Sequence, residues 1–203
     1  MPFSNLHPTK RLLLETAVDL LGKKKRHEIS SDEILEISGV SKGSMYHHYH
    51  DLQELIETAQ VARYSMWIDM SIEQISAAIR AVKTPDDLYN MLKAVTETTQ
   101  SMERKGARAE RAGTLSDAFN NPAMALGMGA ETKRLTEALA DLTEEAKNKG
   151  TFREDVDTKA FAVFIQAYTL GKIVDDFTDE PLGNERWNTF IMNMLNTAFI
   201  KRD

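Results

Sequence analysis

Apolar residues recur at helical spacing along nearly the whole chain, and the two-residue alternation of a half-buried strand is scarce. In residues 9–24, Leu13, Ala17, Leu20 and Leu21 fall at i, i+4, i+7 and i+8, one face of a helix. Ser30 and Glu33 have the offset of a capping box, in which each side chain satisfies a backbone N–H at a helix start. Ile34 and Ile37 are predicted to face inward from that second helix. Gly39 is placed to end it, since glycine accepts the left-handed backbone of a C-terminal cap. Ser41 then caps a third helix of about two turns. Longer helices are predicted over residues 51–82, from Thr84-Pro85-Asp86-Asp87 to about residue 102, and from Asn121-Pro122 to Gly150. Two more cover 157–177 and 184–200, with a break at 181–183. Residues 104–113, RKGARAERAG, stay ambiguous because two glycines weaken a helix there. The pattern predicts an all-α protein.

Helical phase sorts the third helix into two faces. At about 100° per residue, Met45 and Tyr49 share a side and can join Val40, Ile34 and Leu20 in a small core. Gly43, Tyr46, His47 and His50 are spaced i, i+3, i+4 and i+7 and form the opposite stripe. Helix, tight turn, helix is the plan in which the second helix enters a DNA major groove. Gly43 permits close approach of a phosphate backbone, the hydroxyls of Ser44 and Tyr46 suit phosphates, and Lys42 and His47 can reach base edges. With Ser31 at the second-helix start, the candidate DNA contacts are Ser31, Lys42, Gly43, Ser44, Tyr46, His47 and His50.

Composition narrows the alternatives. The chain has 203 residues, 42% of them hydrophobic and 28% charged, so it can bury a substantial core. It has no cysteine, which removes disulfides, thiol chemistry and cysteine-based zinc sites and fits a cytoplasmic protein. Glu15 and Asp19 interrupt the leucine-rich opening, so no signal peptide or membrane span is expected. The net charge is −6, yet residues 23–26, KKKR, concentrate cations within a near-neutral first segment. That run reads equally as a solvated helix end or as a phosphate-facing loop. All five histidines lie at or before residue 50. His47, His50 and Asp51 share a spacing that can hold a metal, but without cysteine or a later histidine no metal site is expected. No cofactor is expected either. GMGAET (127–132) lacks the third glycine and the strand of a dinucleotide loop, no Glu-x-x-His pair exists, and no later histidine completes a triad. An enzyme is the poor reading.

Residues 10–58 resemble the tetracycline-repressor (TetR) family of bacterial transcription regulators. The resemblance is carried by Ala17, Ile34, Gly39-Val40-Ser41, Gly43-Ser44, Tyr46, His48-Tyr49 and Glu54-Leu55. GTFREDVDTKAFAVFIQAYTLG (150–171) is similar to the segment leading into that family's penultimate helix. The family implies a helix-turn-helix DNA-binding domain, here 1–55, and a helical effector-binding and dimerisation domain, here 56–203. Two departures stand out. The Lys23–Arg26 run replaces a usual glycine, and Leu52 stands where the family has a phosphate-contacting lysine. Leu52 is therefore read as a phosphate-facing position, with its charge supplied from the run.

The resemblance also implies a homodimer through residues 157–177 and 184–200, which are rich in apolar residues. The methionines at 66, 70, 91, 102, 124 and 128 lie near aromatic residues, and methionine adapts to irregular apolar space. Met66, Trp67, Met70, Tyr89, Met102, Phe119, Met128, Phe164 and Tyr168 are the candidate contacts of a small apolar or amphipathic effector. The expectation is a ligand-responsive repressor that binds a near-palindromic double-stranded operator as a homodimer. An effector-independent DNA-binding regulator or scaffold is the alternative, and a helical-bundle enzyme comes third.

Overall fold

The computed structural model describes residue 3 and residues 5–201. Ten helices follow one another among them: α1 Pro8–Leu21, α2 Ser31–Ser38, α3 Lys42–His48, α4 Leu52–Ala81, α5 Pro85–Gln100, α6 Lys105–Phe119, α7 Pro122–Asn148, α8 Thr158–Gly171, α9 Ile173–Asp176 and α10 Asn184–Ala198. An isolated antiparallel bridge joins Phe152 and Ile200. The chain forms two compact units, residues 1–68 with 117–129 and residues 69–116 with 130–203.

Local signals place the first unit's helices as expected. The Ser30 hydroxyl accepts from the Glu33 N–H at 3.2 Å, and Gly39 closes α2 at φ 68°. The Ser41 hydroxyl accepts from the Ser44 N–H at 3.2 Å to start α3. Leu13, Ala17, Leu20, Ile34, Met45 and Tyr49 form one core with Leu55, Ile56 and Ala59 of α4. Burial of these side chains provides the packing energy that such short helices lack on their own. Ile37 does not join them and is 60% exposed. The inward stripe of α2 runs through Ser31, Ile34, Leu35 and Ser38, and Ile37 falls about 110° from its centre.

The second unit is built on α5, which packs along α10. Thr84 caps α5 in a reciprocal box with Asp87. Phe152, Phe161 and Phe199 form its aromatic centre, with ring centroids 4.7–6.0 Å apart. Two expectations change here. Residues 105–119 are helical through both Gly106 and Gly113. Arg108 of this helix reaches buried Asp176, and such tertiary bonding outweighs the ~1 kcal/mol cost of each helical glycine. The expected single helix over 157–177 is broken at Lys172, which divides α8 from α9. Lys172 turns inward until it is 1% exposed, with Nζ 2.7 Å from Asp175 Oδ2 and 5.8 Å from the Trp187 ring centre.

Candidate nucleic-acid interface and effector cavity

The third helix carries the candidate interface because its two faces are unlike. Met45 and Tyr49 are buried and fix the helix against α1, while Lys42, Gly43, Tyr46 and His47 are exposed. Tyr46 is 48% exposed, enough for its hydroxyl to meet a partner. Ser44 is half-buried, and its hydroxyl lies 2.9 Å from that of Ser41, so it is already engaged at the cap. Tyr49 brings its hydroxyl inside without a hydrogen-bond partner, and burial with nearby Glu54 pushes its pKa up to about 12. It stays a neutral core residue across the physiological range.

His50 does not continue the stripe. The helix ends at His48, and Tyr49 is already extended at φ −135°. His50 instead belongs to the start of α4. Its N–H donates to Glu54 Oε2 at 2.6 Å, and its Nδ1 is 3.3 Å from Asp51 Oδ2. Asp51 caps α4 by accepting from the Glu54 N–H at 2.8 Å, and this bond, with His50, holds its carboxyl below the usual range. His50 remains exposed beside the interface, on a different element. Ser31 lies half-buried on the inward stripe of α2.

Half of the basic run is used inside the unit. Lys24 pairs with Glu33, and Arg26 reaches Asp117 at 3.3 Å and Glu57 at 3.6 Å. Lys23 and Lys25 stay exposed. Leu52 is half-buried and packs against the first unit's core, as an ordinary apolar residue at that helix start would.

No family model matches the chain. Among curated proteins it is 22% identical over 180 residues to the HTH-type transcriptional regulator UidR of Escherichia coli K12, covering 88% of this chain and 86% of that one. A TetR-family transcriptional regulator of Mesorhizobium loti superposes with a TM-score of 0.70 at 13% identity, over 95% of this chain and 97% of that one. The fold is that of the TetR family. Salmonella enterica GusR shares it with a TM-score of 0.59 and 22% identity, over 97% and 98% of the two chains. A transcriptional regulator of Saccharomonospora viridis, solved with choline, gives a TM-score of 0.65 at 14% identity over 95% and 98%. UidR and the Mesorhizobium loti and Saccharomonospora viridis proteins are transcriptional regulators, and the resemblance read from residues 10–58 extends as TetR fold across the chain.

Within this TetR fold the second unit holds a cavity of about 50 Å³. Ile75 and Ile79 of α4, Met91 and Val95 of α5, Leu142 of α7 and Ile165 of α8 are among the residues that line it. Its two hydroxyls are both engaged. Thr143 donates to the Leu139 carbonyl at 2.7 Å, and the Tyr168 oxygen lies 3.1 Å from Thr96 Oγ1. Burial raises the Tyr168 pKa, so that hydroxyl stays neutral. The wall is therefore apolar in effect and contains no charged residue.

The structure gathers the candidate effector residues only in part. Tyr168 lines the cavity, and Tyr89 and Phe164 pack against the core around it. Met66, Met70, Met102 and Phe119 are exposed, Phe119 at 91%. Met128 is buried in the first unit, where Trp67 stacks on Tyr64 at 5.6 Å. Of the methionines clustered along the sequence, Met91 lines the wall, while Met66, Met70, Met102, Met124 and Met128 do not. Leucines and isoleucines at ordinary core spacing form half of it, and nothing in their pattern separates a cavity lining from a filled core.

Proposed function

We propose that the chain is a transcriptional regulator of the TetR type that acts in the cytoplasm as a homodimer on a near-palindromic DNA duplex. Its expected sign is repression, relieved by a small apolar effector. The carrying observation is α3, where buried Met45 and Tyr49 hold Gly43, Tyr46 and His47 out on one exposed face. Selection from random duplex DNA tests the reading, and failure to enrich any sequence defeats it. With the selected duplex, His47→Ala is expected to lose about 1–3 kcal/mol and relax preference at one position per half-site. Tyr46→Phe loses about 0.5–1.5 kcal/mol on all sequences alike.

Dimerisation is supported by apolar side chains that their own chain leaves uncovered. Val174 is 78% exposed, and Phe177 and Phe190 are exposed beside the break and on α10. Leu195, by contrast, is fully buried within its own unit. Phe190→Asp is therefore expected to give helical monomers in sedimentation, while Leu195→Asp unfolds the unit. Wild-type monomers at micromolar concentration would remove the dimer and the symmetric operator together.

The effector reading is supported by the cavity, and the choline-bound neighbour shows that this fold can hold a small molecule. About 50 Å³ is far below the ~300 Å³ of a drug-sized site. Binding has to widen it, and that difference between states is what couples the effector to DNA release. No described helix is long and apolar enough to cross a membrane.

A further inference from the structure

The confinement of all five histidines to the first 50 residues is not explained by His47 alone. The folded chain brings three of them together. The His48 ring centre is 5.0 Å from that of His7, at the N-cap of α1, and 5.1 Å from that of His47. Lys10 lies one turn along α1, its Nζ 5.1 Å from the Tyr49 ring centre. His47 and His7 are exposed and His48 is half-buried, so the cluster opens on the α3 side that carries the candidate DNA contacts.

The electrostatics of this cluster are one-sided. Desolvation is the first cause that lowers the His48 pKa, followed by the positive charges of His7, His47 and Lys10. No carboxylate is among these causes. The acids at the start of α4 are occupied elsewhere: Asp51 caps that helix beside His50, and Glu54 accepts from the His50 N–H. The His7 Nδ1 accepts the Thr9 N–H at 3.3 Å, so that nitrogen is engaged at the start of α1. Among the described residues the cluster thus gathers basic groups around His48 with no carboxylate acting on it, on the face proposed to meet a polyanion.

We propose that His47, His48 and Lys10, seated against His7, form a clamp for a DNA backbone phosphate that closes with uptake of a proton. The inference rests on the DNA-binding reading. A phosphate supplies the missing negative charge, so an imidazole that is neutral in the free protein takes a proton from solvent when the duplex binds. Operator affinity then rises as pH falls. Stability of the free protein runs the other way: a histidine with a lowered folded pKa favours the unfolded chain as pH falls below about 6.5. The opposite slopes separate a clamp from general acid sensitivity.

The test measures affinity for a random-sequence duplex at constant ionic strength, by fluorescence anisotropy, at about pH 8 and about pH 6. The wild type is expected to bind about tenfold tighter at the lower pH, with about one proton taken up when calorimetry is run in two buffers of different ionisation enthalpy. H48Q should lose most of that slope, whereas H27Q, altered in the exposed turn Arg26–Glu28, should keep it. Should H48Q lose its helical circular dichroism, H47Q on the exposed side of the cluster replaces it, with a reduced slope expected. A pH-independent wild type that still binds DNA overturns the clamp, as does a full slope in folded H48Q. Absence of duplex binding at both pH values overturns the DNA-binding reading and the clamp with it.

Discussion

Arg108→Ala is expected to lower stability by about 3–5 kcal/mol, the cost of leaving a buried charge without its partner. Arg108 and Asp176 are 5% and 1% exposed, and the guanidinium meets the carboxylate in a fork, Nε to Oδ2 and Nη2 to Oδ1, both at 2.7 Å. Nη1 also donates to the carbonyls of Thr99 and Ser101 at 2.9 and 3.0 Å, so one side chain satisfies the open end of α5 as well. Truncation removes all four bonds while Asp176 stays inside. Guanidinium titrations of the two proteins measure the loss, and a change under about 1 kcal/mol would mean that solvent reaches the pair. Replacing both partners by apolar residues of similar size should recover much of the stability, because the desolvation cost goes with the charges.

The same pair sets an acid limit. Arg108 holds the Asp176 carboxyl below the usual range. A depressed carboxylate contributes stability above its unfolded pKa of about 3.9 and loses it as pH falls through the folded value. The wild type should therefore show no pair-dependent change from neutrality down to about pH 5, with the loss beginning below that. In Arg108→Ala the carboxyl reverts upward, and the acid transition moves to higher pH.

Phe152→Ala comes next, at about 3–5 kcal/mol. Phe152 is 1% exposed and meets Phe161 edge-on at 4.8 Å and Phe199 in a stack at 6.0 Å. Its neighbours Thr151 and Arg153 also bind the chain end, through Lys201 N–H to Thr151 O at 3.1 Å and Arg153 N–H to Phe199 O at 2.9 Å. The lost ring leaves space that joins the cavity it already lines. Because that wall is apolar and its hydroxyls are engaged, the enlarged space should stay dry and accept benzene. Benzene should then raise the melting temperature of the variant more than that of the wild type. A loss below about 1 kcal/mol would show that the site collapses around the missing ring.

Choices made between near neighbours are legible along the chain. Ser30, Gly39 and Ser41 place the ends of α2 and α3 because a cap is a bond between residues a few positions apart. The separation of Met45 and Tyr49 from Tyr46 and His47 follows from helical phase alone. Phase fails where a helix stops, which is why His50 leaves the stripe. Ile37 shows a second limit, since a helix as short as α2 has too few apolar positions to fix the direction of its stripe.

The remaining choices are made between residues far apart in the chain, so they are fixed on folding. Arg26 meets Asp117 across 91 positions and Arg108 meets Asp176 across 68, and neither pairing leaves a periodic trace. The first takes a cation from the run that the sequence offered to phosphate, and the second carries α6 through two glycines. Leu52 packs on the first unit's core, and the cavity lies where four helices leave a gap. The His7–His48 contact joins α1 to α3, so a cluster that is only a count of histidines in sequence becomes a set of charges with a shared field. Local bonds fix each helix, and distance-dependent packing and electrostatics then decide what each exposed or buried side chain can do.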